Sequence, residues 1–164
     1  MNNKIEKLIY TSIESFEGNP WLGDSLMRKL NSIDYNIVNR KLPNSNNSIA
    51  IIVQHIINWR IFMLKKLEGN HSFDIELNSD EDWTEITIKN KFEWNELLKN
   101  LKTTQKMLIK ILKDKSDDKF LDKITPGRDY TFEYLIEGII QHDTYHCGQI
   151  GLIYSTLKTD IKIN

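Results

Sequence analysis

Apolar residues recur every three or four positions in four parts of this chain, the spacing that lines them along one face of an α-helix. Near the start, Ile5, Leu8, Ile9, Ser12, Ile13 and Phe16 lie on the expected inward stripe, which breaks at Gly18-Asn19-Pro20, where glycine and proline disfavour helix. A shorter piece capped by Asp24 or Ser25 is predicted through Leu26, Leu30 and Ile33 toward Val38, ahead of Pro43 and the Asn/Ser cluster at 44–48. The second long helix is expected to start near Ser48 and stop at Gly69, with Ile49, Ile52, Val53, Ile56, Trp59, Phe62, Met63 and Leu67 on its apolar face. Residues 70–83 lose the period. A link of that length exceeds what adjacent antiparallel helices need, so it reads as a crossover from one end of a bundle to the other. The third helix is expected from Thr84 or Thr87 to Lys113, burying Phe92, Trp94, Leu98, Leu101, Leu108, Ile111 and Leu112. After the polar stretch ending in Pro126-Gly127-Arg128-Asp129, Thr131 caps a last helix, with Glu133 in its positive first turn. That helix should reach about Leu157, with residues 158–164 fraying.

Strand-like alternation is confined to short stretches such as 73–77 and 85–88, so the fold class is all-α. Long helices without a sheet must bury their stripes against one another. The expected architecture is a four-helix bundle with a long crossover link between helices 2 and 3. At 164 residues the chain fits a single domain, residues 1–164. Apolar residues at 40% and charged residues at 27% are ordinary for a soluble domain. No window approaches the roughly 18 apolar residues of a membrane span, and Lys4, Glu6 and Lys7 interrupt the start. No membrane is expected as a partner, and the cytoplasm is the expected location. The single cysteine, Cys147, agrees with a reducing compartment. A net charge of −1, with basic residues dispersed among acidic ones, argues against nucleic acid as a partner.

Against this background the histidines stand out. His142 and His146 are four apart on the last helix, so one lies a turn above the other, and both fall on or beside the inward stripe with Leu135, Ile139, Gln149, Ile150 and Ile153. His55 falls between Ile52, Ile56 and Trp59 on the buried face of its own helix. Three inward imidazoles either find three separate hydrogen-bond partners or share one divalent transition metal. His71, in a Gly-Asn-His-Ser loop, is the weakest candidate. Asp143 and Gln149 are expected either to orient ligating imidazoles or to face a neighbouring helix or subunit. Cys147 lies about 100° around the helix from His146 and should point away. Gly138, Gly148 and Gly151 suggest close approach of another backbone, and Trp59, Trp83 and Trp94 read as core or pocket wall. A shared metal should be lost as pH falls through about 6.5, where imidazole protonates.

The string His142-Asp143-Thr144-Tyr145-His146 is not the H-E-x-x-H of the zincins, because Asp143 replaces the general-base glutamate. No further His or Glu follows His146 to complete that site. The chain instead resembles the DinB/YfiT-like family. The resemblance rests on Trp21-x-Gly23, Ser48-Ile49, Gln54-His55-x-x-x-Trp59, Leu67-x-Gly69, Asp82-Trp83 and Gln141-His142-Asp143-x-Tyr145-His146-x-Gly148-Gln149-Ile150, in order over residues 16–155. It implies a four-helix bundle, often a homodimer, holding one zinc, nickel or similar ion on His55, His142 and His146.

Three neutral ligands with an open position form a catalytic rather than a structural pattern. The reading is therefore a metal-dependent enzyme acting on a small-molecule substrate. It would activate water as a hydrolase or, as the broader family implies, a low-molecular-weight thiol such as bacillithiol as a transferase. The alternative is a non-enzymatic metal-binding protein of the stress response.

Overall fold

The computed structural model describes residues 3–163, with side chains through residue 159. Five helices account for the regular structure: α1 (Asn3–Phe16), α2 (Leu26–Asn31), α3 (Ile49–Leu67), α4 (Lys91–Lys113) and α5 (Phe132–Ile163). Short 3₁₀ turns occur at Tyr35–Ile37 and Asp118–Phe120. No strand forms among the described residues; one isolated bridge joins Ile124 to Thr131.

Local chemistry sets most boundaries. Ser48 accepts a hydrogen bond from the Ile51 amide at the start of α3. Gly69, at φ 89°, takes the left-handed conformation that ends the helix, and the amides of Gly69 and Asn70 bond back to Lys66 and Lys65. Thr131 caps α5 as the sequence predicts, its hydroxyl accepting from the Tyr134 amide. Three boundaries differ from expectation. The segment after Ser25 is helical only to Asn31 and then passes into the 3₁₀ turn. Helix α4 begins at Lys91 rather than at Thr84 or Thr87, because the backbone of Ile88 is taken by a side chain. The Asn39 amide donates to the Ile88 carbonyl at 2.7 Å and accepts from its N–H at 2.9 Å. The first free cap is then Asn90, which accepts from Glu93 N–H. Helix α5 continues to Ile163 instead of fraying after Leu157, and residue 164 lies outside the described residues.

Helix α3 packs against α4 and α5, and α1 packs against the same two. Side-chain contacts give the directions. Ser12 meets Gln105, and Lys4 meets Glu133. Arg60 meets both Gln105 and Asp143, and His55 meets His142. Apolar burial falls into two clusters. One joins Ile49–Ile57 positions to Trp94, Leu98, Leu101, Ile150 and Ile153. The other joins Phe62, Met63 and Leu67 to Leu108, Leu112, Leu135 and Ile136. Between them lies a buried polar layer contributed by all four long helices: Ser12, His55, Arg60, Gln105, Asp143 and His146. Several expected core positions are not buried with the rest, Ile9, Ile13 and Trp59 being only partly covered. Phe92 is exposed, and Ile111 is only partly covered. Among the described residues, no helix is long and apolar enough to cross a membrane.

Candidate metal centre

Helices α3 and α5 bring the three predicted histidines together within the polar layer. His142 Nε2 lies 3.0 Å from His55 Nε2 and 3.1 Å from His146 Nε2. The three form the one cluster of potential ligands among the described residues, with all donor atoms within 4.8 Å of one another. Four donors arranged tetrahedrally about an ion at 2.0–2.1 Å stand about 3.3 Å apart. Two of the separations are within a few tenths of an ångström of that value and the third lies within 4.8 Å, a cluster compatible with one metal ion.

The far sides of the rings fix which nitrogens face inward. His55 Nδ1 lies 2.9 Å from the backbone oxygen of Asp82 and 2.9 Å from its Oδ1. Both are acceptors, so Nδ1 carries the proton. His146 Nδ1 donates to Gln149 Oε1 at 2.6 Å, and Gln149 in turn donates to the Tyr145 hydroxyl. In each ring, then, Nε2 presents a lone pair to the cluster. Both 3 Å contacts run to His142 Nε2, which would satisfy them either as an N–H donor or, with its proton on Nδ1, by sharing a cation with the other two nitrogens. Trp83 stacks on His55 at 3.7 Å between ring centroids and 5° between planes, holding that ring flat.

A sequence profile of the DinB superfamily matches residues 24–150, a span that contains every one of these side chains. The chain belongs to the DinB superfamily. No curated protein and no solved structure matches it.

The structure adds the partners that hold the three histidines. Gln149 accepts a hydrogen bond from His146 Nδ1. Asp143 is more complicated. Its Oδ2 accepts from Arg60 Nε at 2.8 Å and Nη2 at 2.5 Å, while its Oδ1 stands 3.9 Å from His142 Nδ1. Both of these last atoms are buried and without a partner. A small rotation of the His142 ring would join them, giving the third imidazole the same Nδ1 support as the other two. Asp82 was missed as a partner by sequence reasoning. Besides facing His55, it accepts from Trp59 Nε1 at 2.8 Å and from the Asn78 amide at 2.8 Å. The buried Asp82 carboxylate would therefore offset part of the charge of a cation held there, which three neutral ligands alone leave uncompensated. Arg60, also missed, lies between Asp143 and Gln105 with its guanidinium over the Phe16 ring. The signal for it was a charge inside the apolar run of α3.

The remaining expectations divide. His71 sits in an exposed loop apart from the cluster. Cys147 points toward the Asp24 carbonyl and packs in the apolar core, away from the histidines. The glycines of α5 do not mark a backbone approach within this chain. A Cβ at Gly138 or Gly148 would meet nothing within 4 Å, and one at Gly151 would meet only the Lys29 side chain.

Burial also sets the pH behaviour. Desolvation, reinforced by the neighbouring His142, pushes the His146 pKa down to about 4, and desolvation likewise lowers that of His55. An unfolded chain has ordinary histidines near 6.5, so between that value and about 4 the unfolded state binds more protons. Chelator-treated protein should therefore lose stability as pH falls through this window, by on the order of 3 kcal/mol for His146. Urea midpoints at pH 7 and pH 4.5 check this. A flat profile, or an unchanged slope in His146→Phe, would contradict it. The same shifts move acid release of a bound ion below the pH 6.5 expected from unperturbed imidazole.

Proposed function

We propose that the chain is a metal-dependent enzyme in which His55, His142 and His146 hold one divalent transition ion, zinc or nickel by preference of the donor set. The supporting observation is the convergence of the three Nε2 atoms with Nδ1 of His55 and His146 committed to acceptors. We read the frame as a four-helix bundle in which residues 68–90 form the crossover between two helices that run the same way. That direction is supported by the pairing of early α3 with early α4 residues in one apolar cluster and of late with late in the other.

An ion with an open position supplies a Lewis acid that lowers the pKa of a coordinated water or thiol. The protein's part is to hold three lone pairs on one point, keep their far protons on Asp82 and Gln149, and exclude water from two of the rings. His55 and His146 are 4% exposed as residues, whereas the His142 side chain retains 24% exposure. A small molecule reaches the centre past His142. Hydrolysis and transfer of a low-molecular-weight thiol to an electrophile both use such a centre. Metal-dependent thiol loss in the presence of electrophiles favours the transferase, ester or amide cleavage the hydrolase, and inactivity of loaded protein the non-enzymatic stress-response reading. A homodimer is supported by Tyr145 and Leu152, both exposed beside Gly148 on one face of α5.

Chelation separates a catalytic from a structural ion. The two apolar clusters bury their side chains without reference to the histidines, so removing the ion should abolish activity and leave the helices intact. The stability lost is the mass-action term, about 2.7 kcal/mol when free metal stands at a hundred times its Kd. Circular dichroism before and after chelation reads this directly. Collapse of the helical signal at neutral pH would make the ion structural, as in small zinc domains.

A further inference from the structure

Beside the one partly exposed histidine, α3 and α5 leave a groove of about 220 Å³. Its walls are the rings of Trp59, Phe62, Tyr130 and Tyr134 over a floor of Leu135 and Ile139. His142 also lines it. Trp59 is held by its bond to Asp82 and stands 6.1 Å from the His142 ring, and Tyr130 and Tyr134 pair at 5.3 Å. No charged side chain lines the groove. Arg128, over the outer face of Phe62, is already paired with Asp74.

Gly138 also lines this groove, in the middle of a helix, where glycine is disfavoured. Nothing lies within 4 Å of where its Cβ would be, so no packing contact requires it. Its effect is to leave space. A leucine there would lean back toward Tyr134 and Leu135, as helical side chains do, and fill the groove.

We propose that this groove receives an uncharged aromatic ring of the substrate and that Gly138 keeps it open, an inference that rests on the histidine cluster being the reacting centre. Size selects the occupant. An apolar cavity of about 150 Å³ holds benzene, whereas drug-sized ligands need about 300 Å³ or more. A single ring with a short substituent fits, and its substituent lies toward His142. Four aromatic walls favour a ring over an alkyl chain, because edge-to-face and offset contacts add to the burial.

Fluorine NMR titration of 4-fluorobenzyl alcohol, into zinc-loaded and into chelated protein, tests this. Wild type should give saturable shifts in both states. Gly138→Leu should weaken binding by at least about tenfold with an unchanged helical signal, as expected for a pocket overfilled by a few methylenes. Gly138→Ala should bind nearly as wild type does. Absence of saturation in wild type, equal binding by Gly138→Leu, or tighter binding of a linear fluorinated alcohol of the same carbon number would overturn the proposal. If zinc fails to bind while the titration behaves as expected, the metal reading falls and the aromatic groove stands.

Discussion

His55→Ala protein should lose its metal on dialysis, whereas His71→Ala should keep it. His55 approaches from α3 and is the one ligand not on α5, so without it an i, i+4 pair on a single helix remains. Removing only a hydrogen-bond partner of a ligand costs about 10–100-fold in affinity. Removing the ligand itself should exceed that, and affinity should fall by at least about a hundredfold. Metal content by mass spectrometry after equilibrium dialysis, with circular dichroism to show retained helix, measures the effect. Full occupancy in His55→Ala would remove this ligand from the site.

The largest effect on stability should come from Arg60→Met. Arg60 is 1% exposed and donates to Asp143 and Gln105. Gln105 continues the network by donating to Ser12 Oγ at 3.0 Å. Removing the cation leaves the Asp143 carboxylate buried without its partner, and breaking such a pair costs about 3–5 kcal/mol. For a chain of this size that lowers Tm by about 6–20 °C. The double substitution Arg60→Met with Asp143→Leu should recover most of the loss, since an apolar pair of similar volume needs no compensation. Thermal denaturation of the three proteins decides the matter. A double variant as unstable as the single one would show that Arg60 acts through packing on Phe16 rather than through charge.

The sequence and the structure agree where burial alone decides. Ile49 to Leu67 reads as one inward helix because its apolar run is long and its ends carry a serine cap and a left-handed glycine. His55 could be placed on the buried face of that run for the same reason, and the i, i+4 spacing put His142 and His146 together. Periodicity fails where a polar group chooses its partner in three dimensions. Ser12 sits in an apolar stripe and looks interchangeable with its neighbours until Gln105 arrives from a helix 93 positions away. Asp82 lies in an irregular segment, and neither its backbone carbonyl nor its carboxylate could be assigned to His55 from spacing. The start of α4 was misplaced for a related reason: Asn39, distant in sequence, occupies the Ile88 backbone and postpones the helix. Phe92 is exposed although apolar, since it lies about 200° around α4 from the buried Trp94, on the face opposite the inward stripe. Gly138 looked like a site of close backbone contact, because composition cannot distinguish a glycine that admits a neighbour from one that leaves a groove empty.

X-ray absorption on zinc-loaded protein tests the central claim most directly, because it reports the atoms bound to the ion regardless of turnover. The account predicts one zinc per chain, with three imidazole nitrogens at about 2.0–2.1 Å and a remaining light-atom position from solvent. Sulfur at about 2.3 Å, which would bring Cys147 into the site, or a shell with fewer than three imidazoles, would contradict it.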